Sequence, residues 1–160
     1  GVRGSTSAVD AMSRIAQSSS VFLSRGDESG THERERQLWS AAQAHPHASR
    51  HVVAGAGMGQ TLRVASSTGA YTLTDRGTLE MMAASLDLAV AFDGDPRLLN
   101  TYAVIADQQR AAGVAFAEWI AGAPGRRAIE GALSSGQVRG FSVWPVGSPA
   151  EDPLALPQHR

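Results

Sequence analysis

Three times within residues 21–78 a short apolar run gives way to a small polar or glycine-rich loop, and each loop opens into a helical pattern. Val21-Phe22-Leu23 leads into Ser24-Arg25-Gly26-Asp27-Glu28-Ser29-Gly30-Thr31-His32. Val52-Val53-Ala54 leads into Gly55-Ala56-Gly57-Met58-Gly59-Gln60-Thr61, and Tyr71-Thr72-Leu73-Thr74 into Asp75-Arg76-Gly77-Thr78. Short strands alternating with helices predict an α/β fold, with a mixed or parallel sheet flanked by helices. In open sheets of this kind ligands gather beyond the carboxyl ends of the strands. The loops at 24–32, 55–61 and 75–78 are therefore expected to converge on one site.

The residue types in these loops suit an anion. The first offers the Arg25 guanidinium, hydroxyls at Ser24, Ser29 and Thr31, and backbone N–H groups at Gly30 and Thr31. A helix N-terminus carries about half a positive charge and up to four unpaired N–H donors. The planar fork of arginine binds oxyanions through paired hydrogen bonds. Charge-assisted bonds contribute roughly 1.5–3 kcal/mol each, so a preorganised loop making a few of them can hold an oxyanion without a metal or cofactor. The glycine loop at 55–59 adds exposed backbone donors. Ser24 to Thr31 also reads as a polar turn with a helix cap. Asp27 and Glu28 are expected to pair with Arg25 or Arg76 or to cap backbone N–H groups. Asp75-Arg76 is expected to be an ion pair that shapes its loop.

Several chemistries are excluded or left without support. The 14 basic and 15 acidic residues give a formal net charge of −1, so no basic field argues for nucleic acid. All the basic residues are arginine, which rules out a lysine nucleophile or Schiff base within the chain. With no cysteine there is no disulfide or thiol catalysis. No apolar run approaches the ~18 residues of a membrane span, and no signal-peptide pattern is visible. There is no G-x-S-x-G elbow, H-E-x-x-H or Walker A loop. In Gly55-Ala56-Gly57-Met58-Gly59 the third glycine comes one residue early for a dinucleotide fingerprint. His45, His47 and His51 fit no standard zinc spacing.

The remaining elements follow from periodicity. Helices are predicted at 11–17, 33–44, 61–66 and 78–84. The second is ended by His45-Pro46-His47, since the residue before proline avoids the α region. Leu86 to Phe92 reads as a fourth strand and Thr101 to Ala106 as a fifth. Val114 to Ile120 reads as an apolar helix with Phe116 and Trp119 on a core or packing face, and Pro124 opens another helix. The proline-rich residues 146–160 read as a flexible tail.

The three loop motifs, in this order and spacing, are continued by Gly94-Asp95-Pro96, Leu98, Leu99, Asn100, Tyr102 and Phe116-Ala117-Glu118-Trp119-Ile120. Together, over about residues 8–145, they resemble the tungstate-binding proteins of bacterial ABC importers, a branch of the type II periplasmic binding proteins. The resemblance implies a two-lobed binding protein rather than an enzyme. It would work outside the cytoplasm, in the periplasm or anchored at the cell surface. It would close on tungstate or molybdate without metal, cofactor or nucleic acid and deliver the anion to an ABC importer membrane subunit. Ser24, Arg25 and Thr31 are then ligands, and Gly57, Met58 and Gly59 supply N–H donors. Gly26, Ser29, Gly30, Tyr71, Thr74, Asp75 and Arg76 line or brace the cleft. Residues 1–99 correspond to the second lobe, and 100–145 to a return strand and C-terminal helices that pack on the first lobe. That first lobe is not read in these residues. Phe116, Trp119 and Ile120 are accordingly expected to need a missing partner segment, a dimer or a rearranged C-terminal part. Two alternatives remain: the ligand-sensing domain of a transcription regulator with the same fold, and a nucleotide-binding enzyme using the 55–59 loop.

Overall fold

The computed structural model describes residues 1–100 and 102–136. The chain divides after Asn100 into two compact units. In the first, α1 (Ala8–Gln17) precedes strand β1 (Phe22–Ser24), α2 (Gly30–Ala42), strand β2 (His51–Val53), α3 (Met58–Thr68) and α4 (Arg76–Met82). Short 3₁₀ turns lie at Val2–Gly4, Ala48–Arg50, Ala83–Ser85 and Pro96–Leu98.

β1 is the centre of the sheet. It pairs in parallel with β2, in the register Phe22↔His51, Leu23↔Val52 and Ser24↔Val53. On its other side lies a single parallel bridge to Tyr71. There Tyr71 N–H donates to the Val21 carbonyl at 2.9 Å and Leu23 N–H to the Tyr71 carbonyl at 2.7 Å. All three β1 residues are buried, as a strand covered on both faces requires. Phe22 joins Ala8, Ala11, Met12, Ile15, Leu38 and Trp39 in one core, meeting the Trp39 ring edge-on with centroids 5.0 Å apart. Leu23, one residue on and so on the opposite face, packs with Ala65 and Ala70.

The helices open on caps that periodicity alone does not locate. α1 begins at Ala8 because Ser7 accepts the Asp10 N–H, and α2 begins at Gly30 on a Ser29 cap. α2 also stops earlier than proline demands, at Ala42, with Gln43 in the left-handed conformation. The strand expected at 71–74 is reduced to the Tyr71 bridge. The strands expected at 86–92 and 101–106 do not form among the described residues. Their apolar residues are real, but no strand among the described residues pairs with them; Val104 and Ile105 lie exposed.

The second unit contains α5 (Ala111–Ala121) and α6 (Ala123–Ser134), joined at Gly122. The helices approach closely at the buried Gly125, where an added Cβ would lie 2.4 Å from the Ile120 Cα. α5 buries no residue. Phe116 and Trp119, expected on a packing face, stack on each other instead and stay exposed. The tail expected at 146–160 lies outside the described residues.

Candidate functional site

The three loops leave the carboxyl ends of three adjacent parallel segments: β1, β2 and the Tyr71 bridge. The first two are stitched together. Ala54 N–H donates to the Ser24 carbonyl at 2.9 Å and Ala56 N–H to the Arg25 carbonyl at 3.4 Å. Gly26 makes this approach possible, since its φ is +61° and a Cβ there would lie 2.1 Å from Val53 Cγ1. Only glycine takes that backbone region without steric cost.

Arg25 is the charged centre of this junction. Its side chain is 14% exposed and donates from Nη2 to Asp27 Oδ2 at 2.5 Å. Its Nε is buried and has no hydrogen-bond partner among the described residues. Asp27 also accepts the Ser29 N–H through Oδ1 at 3.2 Å. Burial pushes the Asp27 carboxyl up, but hydrogen bonds from Ser29 and Arg25 outweigh it and hold it below the usual aspartate value.

Two helix N-termini face this region with unfilled donors. At α2 the Ser29 hydroxyl accepts the His32 N–H over a stretched 3.4 Å. The Gly30 and Thr31 N–H groups, in the first turn, have no partner among the described residues. At α3 the cap is Gly57, which has no side chain to offer. The Met58 and Gly59 N–H groups are likewise unpaired among the described residues, while Gln60 and Thr61 bond back to the Gly57 carbonyl. Met58 is buried, so its part in a site is that of a backbone N–H donor at the helix start.

The supporting residues divide into braces and caps. Tyr71 extends the sheet through its backbone, and its ring packs on the core with Leu73. Thr74 donates to the Asp75 carbonyl at 3.1 Å. Asp75 caps α4, accepting the Thr78 N–H at 2.7 Å and the Thr78 hydroxyl at 2.8 Å. The expected Asp75–Arg76 pair does not form. Thr78 occupies both Asp75 oxygens, while Arg76 pairs with Asp93 and, at 3.9 Å, with Glu80. No group of histidines and carboxylates among the described residues could hold a metal ion.

Ser24 turns inward. It is 1% exposed, and its hydroxyl donates to Glu35 Oε2 at 2.9 Å. Glu35, itself buried, is absent from the sequence reading of the site. Its signal was present: it precedes Leu38 and Trp39 by three and four positions, which puts a carboxylate on the apolar stripe of α2. Asp95, read from the sequence only within the Gly94-Asp95-Pro96 motif, has a structural task of its own. Its carboxylate accepts the Ala8 N–H at the start of α1 at 2.7 Å.

Residues 2–124 match the PBP superfamily domain. The chain belongs to the PBP superfamily. Within it, the chain is 40% identical over 119 residues to the "Tungstate-binding protein TupA" of Peptoclostridium acidaminophilum, a match covering 70% of this chain and 42% of that protein. It is 41% identical over 110 residues to a "Putative ABC transporter anion-binding protein" of Haloferax volcanii, covering 66% of this chain and 32% of that one. The crystal structure of "the tungstate ABC transporter from Geobacter sulfurreducens" aligns with a TM-score of 0.68 at 30% identity, over 82% of this chain and 59% of that chain. This PBP-superfamily chain therefore spans less than half the length of either curated relative. The resemblance to tungstate-binding proteins read from the loop motifs is upheld by these relatives, and so is the α/β fold class.

Proposed function

We propose that this chain is a solute-binding lobe that captures a tetrahedral oxyanion of the tungstate class. The observation that carries the reading is Arg25, a largely buried guanidinium whose Nε has no partner among the described residues. It stands at the end of the central strand, beside two helix N-termini with unfilled donors. A buried polar group without a partner costs free energy, and an oxyanion oxygen is the complement of all these groups at once. Arg25 compensates charge. The Thr31 hydroxyl and the N–H groups of Gly30, Thr31, Met58 and Gly59 fix the tetrahedron. Tungstate is favoured because two of the relatives named above carry it in their descriptions; molybdate has the same shape and charge.

In this reading residues 1–99 are the second lobe of a clamp. Residues 100–145 lead back to a first lobe, and closure of the two lobes removes water from the anion. The protein binds and delivers its anion, outside the cytoplasm, to an ABC importer membrane subunit, and does no covalent chemistry. Calorimetric titration with tungstate, molybdate and sulfate tests the reading. Binding of the first two, abolished by Arg25→Ala, is expected; an Arg25→Ala variant with unchanged affinity overturns it.

A further inference from the structure

We infer that Glu35 is a positioning residue of the oxyanion loop, acting through Ser24; the inference rests on the oxyanion reading of the same site. Glu35 sits on α2 with its side chain 3% exposed. One carboxylate oxygen accepts a hydrogen bond from the Ser24 hydroxyl at 2.9 Å. The other lies 3.7 Å from His51 Nε2, a buried nitrogen with no hydrogen-bond partner among the described residues. His51 is the register partner of Phe22 and stacks on its ring. The carboxylate thus stands where β1, β2 and α2 meet.

A buried carboxylate with one hydrogen bond is a poor stability device, because desolvation offsets what the bond contributes. An apolar side chain of similar size would extend the Leu38 and Trp39 stripe at lower cost. What the Ser24–Glu35 bond does is tie α2 to the end of β1. Arg25 follows Ser24 directly, and Thr31 lies one helical turn before Glu35. The bond therefore sets where the guanidinium stands relative to the unfilled N–H groups of α2. It also commits the one proton of the Ser24 hydroxyl, so Ser24 cannot donate to an anion while it serves Glu35. Ser24 acts on the anion from behind the loop.

The test is a double-mutant cycle on the full chain, read by calorimetry with tungstate and by thermal melting. Ser24→Ala and Glu35→Leu are each expected to weaken binding by about tenfold, the cost of losing one buried hydrogen bond. The double variant is expected to be no weaker than Glu35→Leu alone. Glu35→Gln, whose amide oxygen accepts the same bond, restores affinity to about threefold of the parent or better, an outcome that loss of stability alone does not produce. Wild-type affinity in Glu35→Leu, wild-type affinity in Ser24→Ala, or additive losses in the double variant overturn the inference, since additivity means that Ser24 contacts the anion directly. If Glu35→Leu fails to melt cooperatively, Glu35→Met, flexible enough to fill the gap, replaces it in the cycle. Absence of oxyanion binding in the parent removes the underlying reading, and is told apart from failure of the inference because the parent itself is then silent.

Discussion

Helices α1 and α4 begin on carboxylates of the chain itself, whereas α3 begins on a bare glycine and α2 on a stretched serine contact. At α1 the Asp95 carboxylate arrives from 87 residues away to take the Ala8 N–H. At α4 the Asp75 carboxylate takes both donors of Thr78. At α3, Gly57 supplies no side chain. At α2 the Asp27 carboxylate before the cap is matched by Arg25. A helix start that already holds its own anion has little field or donor capacity left for another. The third loop, grouped with the first two on sequence, belongs electrostatically with α1: in the proposed site it is a brace, while the α2 and α3 starts are the ones left open to an anion.

The comparison is most exposed to a substitution that converts the open kind into the filled kind. Gly57 has extended backbone angles suited to a cap, and a Cβ there meets nothing within 4 Å. Gly57→Asp is expected to leave thermal stability level or slightly raised, by a few tenths of a kcal/mol. It should weaken oxyanion binding by about ten- to hundredfold, the cost of losing one charge-assisted bond. Unchanged affinity in calorimetry would mean that the α3 start is not part of the site.

The next effect is at Gly26. Alanine there must hold a left-handed φ, at a cost of about 1–2 kcal/mol, and must also move the Val53 side chain. A lower urea midpoint, with weaker binding because Arg25 is displaced, is the expected result. Asp75→Ala removes a filled cap and is expected to cost about 1 kcal/mol in urea denaturation. Its effect on affinity should fall well below that of Gly57→Asp; an equal loss would erase the distinction between the two kinds of helix start.

The smallest effect concerns pH. Burial raises the Asp95 carboxyl, but hydrogen bonds from the Ala8 and Arg97 N–H groups and the Arg97 charge outweigh it and hold it below its ordinary value. A depressed carboxylate binds fewer protons in the folded state. Its contribution is therefore full above the ordinary aspartate value and is lost as pH falls through the lowered one. Asp95→Asn is expected to flatten that acid limb in denaturation midpoints; an unaltered limb would show that α1 does not depend on this carboxylate.

The legible parts were those with local causes. The β1 run, the Arg25 loop and the glycine entry to α3 follow from burial, charge and backbone freedom within a few residues, though α3 itself starts at Met58, three residues before the Thr61 expected. The misread parts depended on partners distant in sequence. Leu86 to Phe92 has strand-like apolarity, but a strand exists only where a neighbour offers a ladder. Trp39 and Trp119 both lie on helices with other large apolar residues; the first is 2% exposed and the second 44%. The difference is the covering surface, since Trp39 has Phe22 and α1 against it.

From its sequence alone this chain determined its class of fold, its three strand-loop-helix junctions and the single arginine at their centre. These are matters of residue type and short spacing. Tertiary structure alone decided that Asp95 fills the start of α1, which way Ser24 turns and that Glu35 stands behind it. Each of those depends on a carboxylate brought from another element. The position of that carboxylate is set by packing, and no local pattern encodes it.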